Sequence, residues 1–228
     1  MKKPQILINI LLAIAILIGD IFFTINSGII TKSITSLLFV ALGGINLFFA
    51  IKNKSPLKKF CIIMAIGLFF AMHGDIVLEI EFIIGALLFA TGHIFYFVAY
   101  CNVQKFEIKN IIPSVCIFIP AMLLIVLAPI FDFGGLLMEI VCIFYALIIS
   151  VMVGKSISNY IKTKSIFNLI IMIGSILFMF SDIMLLFNVF ADVPKIFIIL
   201  CLSTYYPAEI LLAFSISQTS KNNLKNKN

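Results

Sequence analysis

Eight apolar stretches follow one another along this chain with little between them, at roughly 6–25, 34–51, 60–78, 82–101, 111–128, 134–153, 167–190 and 195–216. A helix needs about 20 residues to cross the hydrocarbon of a bilayer, and each stretch approaches that length. Side chains are 63% hydrophobic and only 11% charged over 228 residues, more apolar surface than a water-soluble domain can hide. The fold expected is all-α: a polytopic membrane protein with eight transmembrane helices in one bundle, a single domain over 1–217. Short connections make successive helices antiparallel neighbours in this reading. The first run follows Lys2 and Lys3 as a signal peptide would. It extends to Ile25 with no small-residue cleavage site, so it reads as a helix that is kept. Residues 218–228, rich in Lys and Asn, read as a disordered basic cytoplasmic tail.

The net charge of +6 comes from lysine alone, since the sequence has no Arg. Lysines cluster before the first stretch and after the second, fourth, sixth and eighth. Only Lys32 and Lys195 fall at the opposite end. The positive-inside rule then places both termini in the cytoplasm. Glu79, Glu81, Asp132 and Asp192 gather at the other end, and Glu107 is the acid of the inner loops. Basic charge of this kind reports topology, and without aromatic-basic interleaving or a soluble domain no nucleic-acid partner is expected. Cys61, Cys101, Cys116, Cys142 and Cys201 form no CxxC pair and no Cys/His ligand spacing, so they read as small apolar residues and no metal site is expected.

Acids inside the apolar stretches carry the chemistry. A carboxylate in hydrocarbon is costly and marks a functional site by default. Asp20, Asp75 and Asp182 lie near the outer ends of the first, third and seventh stretches, each followed by Ile. Their spacing, 55 and then 107 residues, suggests a two-helix unit repeated in parallel. On the third stretch Gly67, Ala71 and Asp75 share a helix face, with Gly74 beside them, so Asp75 points at a closely packed neighbour. Glu79 follows one turn later, as a further site residue or a solvated helix end. On the fourth, Ala86, Ala90 and His93 share a face, which puts His93 about 16 Å below the outer end, in an orienting or a direct role. Asp182 and Asp75 stand at similar depth, where two carboxyls could flank one bond. Tyr205 and Glu209 sit at i, i+4 around Pro207, which would kink the eighth helix and line a cavity with polar groups. Lys32 could pair with an acid, hold a phosphate or snorkel.

At these residues the chain resembles the YhhN-like membrane proteins, a family that includes the lysoplasmalogenases. The resemblance rests on Gly74-Asp75-Ile76-Val77-Leu78, then Phe82, Gly85, Phe89, Gly92-His93 and Tyr96, then Ser181-Asp182, then Thr204-Tyr205-Tyr206 with Ala208, and on Lys32. Two positions depart from the family pattern: Ser33 stands where Pro is frequent, and Glu209 where Gln is frequent. The resemblance implies an integral protein of a bacterial cell membrane. It also implies hydrolysis of the vinyl ether bond of a lysoplasmalogen, giving a fatty aldehyde and a glycerophospho-alcohol. Asp75 and Asp182 would be the catalytic acids. Lys32, Glu79, His93, Tyr96, Tyr205, Tyr206 and Glu209 would bind substrate or shape the site. The expected partners are a lysophospholipid substrate and membrane lipids, with no cofactor. Vinyl ether cleavage needs a carboxylic acid to protonate carbon and a carboxylate to steady the cation, and burial in apolar surroundings disfavours the charged form of a carboxyl. A proton-coupled carrier and a non-catalytic lipid-binding protein are the alternatives the same features allow.

Overall fold

A computed structural model describes residues 3–219. It contains α1 (Lys3–Ile25), α2 (Ile29–Lys52), α3 (Lys58–Val77), α4 (Phe82–Val103), α5 (Ile111–Leu127), α6 (Leu136–Thr163), α7 (Ile166–Phe190) and α8 (Ile196–Ser215). All eight helices are long and apolar enough to cross a membrane, and the chain is an integral, all-α membrane protein. Lys2, Lys221, Lys225 and Lys227, counted above for orientation, lie outside the described residues. Gln218 and Thr219, assigned above to the tail, complete a 3-10 turn, Ile216–Thr219. The Thr219 carbonyl accepts from Ser55 Oγ at 2.9 Å, tying the end of α8 to the α2–α3 connection.

Each helix shows a lipid face and a protein face. On α1, Leu7, Leu11 and Ile18 are exposed, while Asn9, Ile16, Asp20 and Phe23 are buried against the bundle. Gln5, Asn9 and Asn46 hydrogen-bond one another, which joins the start of α1 to the end of α2. Phe60 meets Phe167 edge-on, joining the starts of α3 and α7. These contacts define a basic end, which carries both described termini, and an opposite, acidic end with Glu79, Glu81, Asp132 and Asp192. In the α4–α5 connection at the basic end, Lys162 beside Glu107 holds that carboxyl below the usual carboxylate range.

Two boundaries differ from the hydropathy reading. Helix α2 begins at Ile29, which puts Lys32 inside its first turn. Helix α6 continues ten residues beyond Val153, to Thr163, because its polar stretch is satisfied by protein. Buried Lys155 donates to the Lys105 carbonyl at 3.0 Å and to Asn110 Oδ1 at 2.9 Å, and Asn159 donates to the Tyr100 carbonyl at 3.0 Å. A left-handed Lys164 ends the helix, and Ser165 caps α7 by accepting from the Asn168 amide.

The neighbour order also differs. α4 packs on α6, and α5 sits outside α6 rather than against α4. The cause lies at the basic end, where Lys155 grips the α4–α5 connection and carries it across α6. Helices α3 and α4 approach closely. A Cβ on Gly67 would collide with the Tyr96 ring and stand 3.3 Å from the Gly92 carbonyl, and one on Gly92 would stand 3.2 Å from the Gly67 carbonyl. Helix α8 runs unbroken through Pro207.

Candidate active site

The buried acids settle into three polar nests. The first lies between α2, α3 and α8. Lys32 Nζ stands 3.1 Å from Asp75 Oδ1 and 2.7 Å from Glu79 Oε1, so one ammonium serves two carboxylates. Ser36 donates to Asp75 Oδ2, and Tyr206 donates to the same oxygen at 3.2 Å. The Phe23 ring lies 5.5 Å from Lys32 Nζ and closes the nest on the α1 side. Asp75 is buried, whereas the Glu79 side chain is 42% exposed and links the nest to the acidic end. Asp20 is buried on α1, and its Oδ1 has no hydrogen-bond partner.

The second nest joins α4, α6 and α7. Tyr145 donates to Asp182 Oδ2 at 2.7 Å. His93 Nε2 lies 2.9 Å from Tyr145 Oη and 3.3 Å from the same Asp182 oxygen. With the Tyr145 hydroxyl donating to Asp182, a proton on His93 Nε2 would be shared between Tyr145 Oη and Asp182 Oδ2. Asp182 Oδ2 therefore takes both bonds, and the side chain keeps 12% exposure. The third nest is Glu209 Oε2 accepting from Tyr96 at 2.9 Å, with Oε1 unpartnered. An aromatic layer separates the nests. Tyr205 stacks edge-on against Phe178 at 5.3 Å, Phe89 at 5.8 Å and Tyr206 at 4.9 Å, and His93 meets Phe178 at 4.6 Å.

Asp75 and Asp182 both lie about 25 Å from the basic ends of their helices, as their spacing suggests. Their side chains turn into different nests. Of the two, only Asp182 lines a cavity of about 370 Å³ formed between α4, α5, α6 and α7. Its wall is apolar except for Asp182, Tyr145 and Ser150. It runs from Phe82 and Phe190 near the acidic end, past Asp182, to Cys116 and Ile149 in the basic half.

Of the residues singled out from sequence, Lys32, Asp75, Glu79 and Tyr206 are brought together, as are His93 with Asp182 and Tyr96 with Glu209. Lys32 spends its ammonium on the two carboxylates rather than presenting it outward to a phosphate. Tyr145 and Ser36 were not singled out. Ser36 sits one turn after Lys32 on the same face, which could have marked it. Tyr145 is an isolated hydroxyl in an apolar run, and nothing local distinguishes it from a packing tyrosine. Among the described residues no three His, Cys, Asp or Glu side chains gather closely enough to hold a metal ion.

The profile of the YhhN family matches residues 28–216, from the start of α2 through the end of α8. No curated protein and no solved structure matches the chain.

Proposed function

This chain belongs to the YhhN family, and from that premise we propose that it is a membrane-embedded hydrolase of a bacterial cell membrane that cleaves the vinyl ether of a lysoplasmalogen. The observation that carries the reading is Asp182: a carboxyl braced by Tyr145 and His93 on the wall of an apolar cavity within the membrane.

The reaction converts R–CH=CH–O–R′ and water to R–CH₂–CHO and HO–R′. Protonated Asp182 gives its proton to the outer alkene carbon, leaving an oxocarbenium ion. Water adds to the carbon that bears oxygen, the Asp182 carboxylate takes the released proton, and the hemiacetal collapses to aldehyde and alcohol. Tyr145 and His93 fix the oxygen they share, which orients the other oxygen for proton transfer. The cluster of Lys32 with Asp75 and Glu79, one ammonium to two carboxylates, carries a net negative charge behind the aromatic layer and favours the cationic state. General acid–base groups contribute about 10²- to 10⁴-fold.

The test is aldehyde release from a lysoplasmalogen by purified protein in detergent. Asp182→Asn is expected to lower the rate about 10³-fold. Tyr145→Phe should lower it about tenfold to a hundredfold, the worth of one hydrogen bond to a charged group. Asp75→Asn should also slow the reaction, and the double aspartate variant should be little worse than Asp182→Asn, since groups serving one transition state do not add. Normal turnover by folded Asp182→Asn would refute the mechanism.

A further inference from the structure

The cavity's shape and its opening say how a ligand reaches Asp182. Two residues of its wall, Cys116 and Pro120 on α5, are exposed, although α5 lies at membrane depth. The cavity is therefore open sideways, toward lipid tails, along α5. That opening exists because α4 and α5 are not packed together. A volume of about 370 Å³ falls near the lower end of the roughly 300–1,000 Å³ of small-ligand sites, room for one slender apolar ligand. Polarity is graded along it. Asp182 and Tyr145 lie in the half nearer the acidic end, about 12 Å below the end of α7. The far end is walled by Cys116, Ile117 and Ile149.

We propose that this cavity is a slot for the single hydrocarbon chain of an amphiphile, admitted sideways from the bilayer through the opening along α5. The polar end of the ligand lies toward the acidic end of the bundle. Its chain passes Asp182 and leaves the protein again beside α5, along the edge marked by exposed Cys116 and Pro120. The slot holds the chain segment beside Asp182 and leaves the chain's end in lipid, so binding is insensitive to chain length beyond the opening. This identifies the chain site of the hydrolase proposed above and rests on that reading for its purpose, but the binding can be tested without any reaction.

The probe is a saturated alkyl-ether lysophospholipid with a photoreactive diazirine midway along its chain, added to the protein in phosphatidylcholine nanodiscs. A saturated ether is not a substrate for vinyl ether cleavage. Crosslinks, mapped by peptide mass spectrometry, should concentrate on residues 116–124 and 142–150. They should fall about tenfold under a tenfold excess of the unlabelled ether lipid, as competition for one site requires. Ala146→Trp, which places a large ring in the slot, should remove them. The disc's own two-chain lipid is present throughout, so strong crosslinking in its presence also shows selection for one chain. Crosslinks spread over lipid-facing surfaces such as Leu7, Leu11 and Ile18, or undiminished by competitor, would overturn the proposal. Crosslinking at the slot without aldehyde release from a lysoplasmalogen would refute the hydrolase and leave the chain site standing. Aldehyde release without slot crosslinks would do the reverse.

Discussion

At the scale of single residues the protein is governed by how it compensates charge out of water. Lys32 is the clearest case, because its ammonium is buried with Asp75 and shared with Glu79. Removing one partner of a buried pair leaves an uncompensated charge and costs about 3–5 kcal/mol. Lys32→Met should therefore lower the detergent melting temperature sharply. Adding Asp75→Asn to that variant should recover much of the loss, since a neutral amide needs no counter-charge. A double variant no more stable than Lys32→Met alone would show that the pair is not what Lys32 stabilises. The acids themselves were legible in the sequence, since an Asp in an apolar run announces itself. Their partners were less so: Ser36 and Tyr145 are unremarkable in composition and matter only because folding delivers them to a carboxylate from another helix.

At the scale of helices, hydropathy found every span but misplaced ends where polar residues are consumed inside the protein. The segment after Val153 looks like a loop because Lys155, Ser156 and Asn159 are polar. It is helical because those side chains are buried and bonded. Close packing was readable in part: Gly67 does meet a near neighbour, α4, but Asp75, expected on the same face, turns to α2 and α8 instead. Gly67→Leu forces a side chain into Tyr96 and the Gly92 carbonyl. It should destabilise by about 1–3 kcal/mol, the usual cost of overpacking. Gly44, with nothing within 4 Å of its would-be Cβ, is the control. Gly44→Leu should change stability by about 0.5 kcal/mol or less. Thermal melts of both variants in one detergent decide the point, and equal effects would mean the α3–α4 seam can relax.

At the scale of the whole molecule, the charge asymmetry predicts orientation. With lysines at the basic end, the expected orientation has that end in the cytoplasm and the Glu79–Glu81 turn outside. A cysteine introduced at Glu81 should react with an impermeant thiol reagent on intact cells, and one at Asn53 should not; the opposite pattern would invert the bundle. The sequence suggested eight helices in one bundle, and the family match covers seven of them. It did not suggest that α5 would be carried past α4. That displacement depends on a long-range grip, Lys155 on the α4–α5 connection, which no local pattern encodes.

The placement of partners around the buried acids has a consequence for how such a chain can be made. Chains enter a membrane from the N-terminus as they are synthesised. Lys32 and Ser36 precede Asp75, His93 and Tyr145 precede Asp182, and Tyr96 precedes Glu209. For each of these acids, a group that receives it has already left the ribosome when the acid follows. Lys32, one turn from its helix end, can snorkel to water until Asp75 arrives. For these three acids biosynthesis thus delivers a receptor before the charge, and Tyr206 adds its bond to Asp75 only when α8 follows.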